Sequence, residues 1–259
     1  MNEYEKLFSL EEKKALITGG TGGLGSEIAR GFMLMGADVA IIGSDEKKAA
    51  PVLTEAKSLG RTCLFLTCNI RKEGEIEEMC DTLEKEFGQV DILVNSAGKN
   101  ILLPAEEYKR EAFDDVLELN VTALHMVTIA IGHRFMIPSR TGKIINISSV
   151  KSFIGTDKDY IAYCTTKGAV NMYTKQLACE WGKYGINVNA IAPTFVRTPI
   201  NSFQLDDPAF FKSLTDRIPL GRIGQKPDIA SAAIYLASDA AGFVSGQILT
   251  VDGGLTAKQ

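Results

Sequence analysis

Histidine is scarce in this chain: two residues in 259, His125 and His133, with no Cys, Asp or Glu cluster around them at ligand spacing. No metal is expected, and structural or surface roles are expected for both. The five cysteines, Cys63, Cys68, Cys80, Cys164 and Cys179, are odd in number and form no CxxC pair. That excludes a disulfide framework or a zinc site and suits reduced thiols in a cytosol. An excess of one charge is missing too: 28 basic against 32 acidic residues leave a net charge of −4 without long runs. Neither nucleic acid nor an anionic membrane is therefore an expected partner. No apolar run approaches the roughly 20 residues of a spanning helix. The N-terminal MNEYEKLFSLEEKK is charged where a signal peptide needs an apolar core. A soluble, cytoplasmic protein with a small-molecule partner is expected. Proline- or glycine-rich linkers and repeats of solenoid period are absent as well, so residues 1–259 are expected to form one domain.

What is present alternates. Short, mostly apolar runs read as strands: KKALIT (Lys13 to Thr18), DVAIIG (Asp38 to Gly43), TCLFLT (Thr62 to Thr67), DILVN (Asp91 to Asn95), KIINIS (Lys143 to Ser148), INVNAI (Ile186 to Ile191) and QILTV (Gln247 to Val251). Between them, helical spacing runs through roughly 23–35, 45–59, 73–87, 106–137, 160–183 and 227–238. Near-continuous apolar strands alternating with helices predict an α/β fold: a doubly wound, seven-stranded parallel sheet with helices on both faces. One stretch breaks the rhythm. The segment FQLDDPAFFKSL between Pro193 and Pro227 reads as a short helical insert, and a substrate lid is expected at about 194–226.

The first strand runs directly into TGGTGGLGSEIARGF, Thr18 to Phe32. Its glycines allow a tight turn and close backbone approach, and the helix that follows offers free N–H groups and its positive dipole end to a pyrophosphate. Placed between the first strand and first helix of an alternating chain, the turn predicts dinucleotide binding. Further on, Tyr163 stands four residues ahead of Lys167. On a helix the two share a face one turn apart. A free tyrosine, with a pKa of about 10, holds its proton too tightly to be a good base near neutrality. A lysine one turn away favours the phenolate and lowers that pKa.

These residues resemble the short-chain dehydrogenase/reductase family. Its TGxxxGxG fingerprint is matched by Thr18, Gly19, Gly23 and Gly25, and its NNAG element by NSAG, Asn95 to Gly98. LELN ends in Asn120, INISS carries Ser148 and Ser149, YxxxK is Tyr163 and Lys167, NAIAP ends in Pro193, and VDGG closes the match at 251–254. The resemblance implies a Rossmann fold and a reversible hydride transfer between NAD or NADP and a secondary alcohol or ketone. It implies Tyr163 as general acid/base, Lys167 lowering its pKa and holding the nicotinamide ribose, Ser149 bonding the substrate oxygen, and Asn120 positioning a water that links Lys167 to solvent. Family members usually place the serine thirteen residues before the tyrosine, where this chain has Val150. A one-residue insertion within KSFIGTDKDYIA assigns Ser149, with Ser148 and then Ser152 as alternatives. Tyr160 lacks a lysine four residues on and is expected to be structural.

By the same resemblance, Gly19, Thr21, Gly22, Gly23, Leu24 and Gly25 cradle the cofactor phosphates. Ser44, Asn69 and Ile70 meet its adenosine half. Asn95, Ala97 and Gly98 line its path, and Pro193, Val196 and Thr198 meet the nicotinamide end. At the end of the second strand, where an acid marks NAD use and an arginine NADP use, the chain has Gly43 and Ser44. Gly22 in place of a basic residue, with Asp45 within reach of the ribose, leans to NAD; Lys47 and Lys48 argue the other way. Thr194 replaces the usual glycine after Pro193 and is expected to crowd the nicotinamide pocket. Lys99, Asn100, Lys151 and Arg197 adjoin the motif residues; their convergence would favour an anionic or polyhydroxy substrate such as a sugar acid, against an ordinary polar rim. Within the family the chain is most similar to the gluconate 5-dehydrogenases and related sugar or polyol dehydrogenases. The 3-oxoacyl-carrier-protein reductases and hydroxysteroid dehydrogenases are alternatives, and a dinucleotide-binding sensor is one outside enzymes. The resemblance also implies a homotetramer or homodimer, packed through the long helices at 106–137 and 160–183.

Overall fold

The computed structural model describes residues 2–198 and 202–258, without the side chains of Phe203 and Gln204. Seven strands form one sheet: β1 Lys14–Thr18, β2 Asp38–Gly43, β3 Cys63–Thr67, β4 Ile92–Asn95, β5 Gly142–Ile147, β6 Ile186–Pro193 and β7 Ile248–Val251. Their order is β3-β2-β1-β4-β5-β6-β7, and every pairing is parallel. The period-2 geometry of a strand sends neighbouring residues to opposite faces, and the sequence puts apolar side chains on both. Ala15, Ile17, Val39, Ile41 and Val94 enter one core cluster. Leu16, Ala40, Ile42, Leu93 and Ile144 enter the other. Both faces being covered, the strands read as continuous apolar runs, as expected.

Helices α1 Glu3–Phe8, α2 Gly23–Leu34, α3 Glu46–Ser58, α4 Glu73–Phe87, α5 Arg110–Leu117, α6 Ala123–Ile131, α7 Ile137–Ser139, α8 Ile161–Trp181, α9 Ser202–Leu205, α10 Pro208–Thr215 and α11 Lys226–Ala237 complete the described chain. The N-terminal α1, which the charge pattern does not announce, is held by a capping box in which Asn2 and Glu5 satisfy each other's backbone N–H. The helix expected over 106–137 starts later, at Arg110, and is widened twice, by π-helical turns at Glu118–Thr122 and Gly132–Met136. At the second turn the benzene edge of the Trp181 indole abuts Gly132, where a Cβ would stand 2.1 Å from the ring. The continuous stretch Arg110–Ser139 is long and apolar enough to cross a membrane by length and composition. This differs from the expectation that no such run exists, although here Val127, Ile131, Phe135 and Met136 are packed in the core.

The expected helical insert is α9 and α10, the latter capped by Asp207, which accepts from the Ala209 N–H at 2.9 Å. Of the span expected as a lid, residues 199–201 lie outside the described residues. The topology fixes where a ligand fits. The chain winds outward from β1 to β3, then returns to lay β4 against the other side of β1. The crevice between the loops leaving β1 and β4 is the switch point at which open α/β sheets bind ligands.

Candidate active site

The loop after β1 closes against the loop after β4. Thr18 Oγ1 accepts hydrogen bonds from the N–H groups of Ser96 and Ala97, at 3.1 and 3.2 Å. Gly19 takes φ +64°, and a Cβ there would meet the Ala97 backbone at 3.0 Å. A Cβ on Gly25 would stand 2.3 Å from the Gly19 carbonyl oxygen, so only glycine lets α2 dock on this turn. Gly22 caps α2 without a side-chain acceptor, and its first turn carries no acidic residue. Orphan N–H groups at the positive end of a helix, beside half-buried Thr21, Gly23 and Leu24, make a cradle that fits a pyrophosphate.

The other expected cofactor contacts divide. Ala97 and Gly98 lie in the β4 loop, and Pro193 ends β6. Val196 is pinned by a parallel bridge to Gly224, while Thr198 opens on a cavity of about 730 Å³ that also touches Arg197, Arg222 and Lys226. Ser44 is exposed beyond β2, Asn69 is exposed beyond β3, and Ile70 is buried behind it. Asn95 ends β4 with its side chain held inward. Its Nδ2 donates to Thr128 Oγ1 and Asn146 Oδ1, both at 2.9 Å, so the side chain is turned into the core at 2% exposure. Asp45 is also committed elsewhere: it accepts from the Lys47 N–H at 3.0 Å as the cap of α3 and lies 3.8 Å from Lys48 Nζ. A Cβ on Gly43 would meet the Thr21 side chain at 2.6 Å, so no larger residue fits there beside that threonine.

Three polar contacts stitch α8 to the end of β5. Asn146 Nδ2 donates to Thr174 Oγ1 at 2.9 Å, Lys167 Nζ to the Ile147 carbonyl at 2.7 Å, and Ser148 Oγ to Asn171 Oδ1 at 2.6 Å. This fixes the rotation of α8 and so the direction of Tyr163, one turn before Lys167. Lys167 Nζ lies 5.6 Å from the Tyr163 ring centroid. The three serines separate cleanly. Ser148 is spent on Asn171, and Ser152 accepts from Asn171 Nδ2 at 2.7 Å while donating to the Ser149 carbonyl. Ser149, which accepts from the Lys151 N–H at 3.2 Å, is the serine whose hydroxyl acts on the Tyr163 phenol, lowering its pKa.

Asn120 is buried in the first π turn, a distortion frequent at functional sites. Its Oδ1 accepts from the Lys99 N–H at 2.9 Å, and its Nδ2 donates to the Lys99 carbonyl and Thr166 Oγ1 at 2.9 and 3.0 Å. A Cβ on Gly98 would stand 3.3 Å from Asn120 Oδ1 and 3.7 Å from Lys167 Nζ. The β4 loop, Asn120 and Lys167 therefore share one floor. Burial pushes the half-buried Tyr163 phenol up to about 12, opposed by its hydrogen bond with Ser149. Burial lowers Lys167, which is 5% exposed, to about 8. The lowering of the phenol expected from the lysine is not seen: desolvation, which disfavours both charged forms, dominates at both groups.

The cations expected at the mouth also separate. Lys99 and Arg71 both pair with Asp115, and Arg197 pairs with Asp206 at 2.6 Å. Lys151 is half-buried, with Nζ 5.2 Å from the Tyr160 ring centroid. Together with Thr194 and Arg217 it lines a cavity of about 40 Å³ whose wall includes Val150, the residue after Ser149. Arg217 carries no motif spacing that would single it out in the sequence.

Residues 19–256 match the short-chain alcohol dehydrogenase family model described as enoyl-(acyl carrier protein) reductase. The gluconate 5-dehydrogenase of Gluconobacter oxydans is 35% identical over 98% of this chain and 98% of its own. The NAD-dependent glycerol dehydrogenase of Listeria innocua is 36% identical over 98% of each chain. Among solved structures, the gluconate 5-dehydrogenase of Burkholderia cenocepacia, in complex with NADP and tartrate, superimposes with a TM-score of 0.94 at 36% identity, covering 99% of this chain and 100% of that one. With matches of this extent to a chain of this topology, the protein belongs to the short-chain dehydrogenase/reductase family.

Proposed function

We propose that the chain is an NAD(P)-dependent oxidoreductase interconverting a secondary alcohol and a ketone on a sugar acid, sugar or polyol. The observation that carries this reading is Tyr163 beside the Ser149 hydroxyl, with the buried Lys167 5.6 Å from its ring centroid and 3.7 Å from where a Cβ on Gly98 of the β4 loop would stand. A nicotinamide held there would supply the hydride chemistry, as acceptor from the carbinol carbon in oxidation and as donor in reduction. The chain handles the proton. In reduction Tyr163 gives its phenolic proton to the oxygen of the former carbonyl; in oxidation, as phenolate, it takes the proton of the alcohol, which leaves as a ketone. Ser149 donates a hydrogen bond to that oxygen, and Lys167 holds the ribose and favours the phenolate. A phenol raised towards 12 stands ready as the acid at neutral pH. Oxidation needs the phenolate and therefore gains as pH rises.

Dual use of NAD and NADP is proposed. With Gly43 at the strand end and Asp45 committed to its helix cap, the support for a lean to NAD weakens. The Listeria relative named for NAD and the Burkholderia relative holding NADP agree with dual use. The proposal extends to one cytoplasmic domain whose α9 and α10 form the substrate lid, assembled as a homotetramer or homodimer. Free cysteines support the compartment, and Ile161 and Met172, 46% and 60% exposed on α8, support a helical interface. Tyr163→Phe tests the chemistry: turnover of the preferred sugar acid or polyol should fall about 100- to 10,000-fold, with dinucleotide binding retained. Unchanged turnover refutes the assignment. A panel of sugars, polyols, acyl ketones and steroids, run with both cofactors, tests the substrate class.

A further inference from the structure

We propose that Lys151, Arg217 and the Thr194 hydroxyl form a carboxylate-binding subsite beside Ser149, which selects hydroxy acids over neutral polyols. This deepens the proposed alcohol oxidation and rests on it. The cavity they line measures about 40 Å³, enough for a carboxylate and too small for a whole sugar. Its remaining wall is apolar, with Val150, Ile154, Leu214, Ile218 and Leu255, so a charge held there is poorly screened. Val150 and Lys151 directly follow Ser149, and Thr194 directly follows Pro193 at the end of β6. A carboxylate in the cavity would therefore rest against the residues that directly follow the serine assigned to the reacting oxygen.

Three observations point to an anion. Lys151 and Arg217 form no ion pair with a carboxylate among the described residues, unlike Lys99 and Arg197. They are also close enough to repel: burial lowers the Lys151 ammonium first, Cys164 next raises it, and then the neighbouring Arg217 lowers it, with Asp157 acting last in the raising sense. Two cations facing one small cavity are reconciled by an anion between them. Thr194 Oγ1 is buried without a hydrogen-bond partner, a state that native proteins rarely leave unanswered. A hydroxyl donor beside an ammonium and a guanidinium matches the acceptor set of a carboxylate.

The test compares D-gluconate with D-glucitol, which differ by that one carboxylate, in wild type, Arg217→Met, Lys151→Met and Arg217→Lys. Expected is a fall of about ten- to hundredfold in the ratio of kcat/KM for gluconate to that for glucitol in both Met variants. The fall should be carried by KM and partly restored in Arg217→Lys. Equal losses on both substrates overturn the subsite. Tartrate binding to the NADP-bound protein, followed calorimetrically, gives a readout independent of turnover: Arg217→Met should weaken it about tenfold or more, and unchanged binding overturns the proposal. Absence of turnover on any alcohol, with tartrate binding intact and sensitive to Arg217, would instead refute the proposed oxidation and leave the anion site standing.

Discussion

Ser148 and Ser149 are neighbours in the chain with opposite surroundings, and the difference is a matter of which face of the strand end each one takes. Ser148, 2% exposed, donates to Asn171 and helps lock α8 onto the sheet. Ser149 faces the Tyr163 phenol. Replacing each by alanine should therefore separate stability from catalysis. Ser149→Ala removes a donor to the developing oxyanion and should lower kcat about 100- to 1,000-fold with little change in unfolding midpoint. Ser148→Ala leaves Asn171 short of a partner and should cost about 1–3 kcal/mol of stability while turnover stays within a fewfold. Denaturant unfolding and steady-state kinetics on both variants check this, and a reversed pattern would move the substrate contact to Ser148. The sequence makes the Tyr163–Lys167 pair legible because helix geometry alone brings residues four apart together. It does not make Arg217 legible, because that residue reaches the site only through the fold of the α10 segment.

The helices at α5 to α7 show where an element escapes its own sequence. The apolar spacing over 106–137 reads as one helix, and the strand runs read nearly to the residue: DVAIIG is β2 over Asp38–Gly43. Strand limits are legible because burial on both faces demands apolar residues throughout. The π turns are not, because they answer to contacts from elsewhere. At Gly132–Met136 the reason is Trp181, whose ring occupies the space of a Cβ on Gly132. At Glu118–Thr122 the backbone of Lys99 and the hydroxyl of Thr166 hold Asn120 inward. Gly132→Ala should accordingly force apart α6 and the end of α8, costing about 1–3 kcal/mol through overpacking, although a lone Gly→Ala change in a helix ordinarily stabilises by up to about 1 kcal/mol. A shift of the unfolding midpoint to lower denaturant is expected; a shift to higher denaturant would show that the indole has room to move.

At the scale of the molecule, the one buried lysine among the described residues stands where the site needs a cation, and folding bears that cost. Lys167 falls from 10.5 to about 8 because it is desolvated, with only the Ile147 carbonyl as a direct partner. Below about pH 8 the native and unfolded chains both hold this proton, and the native state carries the full penalty of the buried charge. Between about 8 and 10.5 the unfolded chain binds more of the proton than the native one, so stability from this group rises with pH. By 10.5 the penalty, on the order of 3 kcal/mol, has been relieved. Half-buried Cys63 and buried Cys68 and Cys80, raised to about 11, 11 and 12 from 9.0, act in the opposite sense above pH 9 and obscure the effect in the wild-type curve alone. Lys167→Met isolates it. The variant lacks the titrating group, and its loss of the bond to Ile147 is a constant offset, because a neutral amine would still donate there. The difference in unfolding free energy, variant minus wild type, should be most favourable to the variant at pH 7 and decline steadily to pH 10.5, while turnover is lost at every pH. Parallel stability curves for the two proteins across that range would mean that the ammonium is not desolvated in the fold, and the electrostatic basis for its action on Tyr163 would go with it.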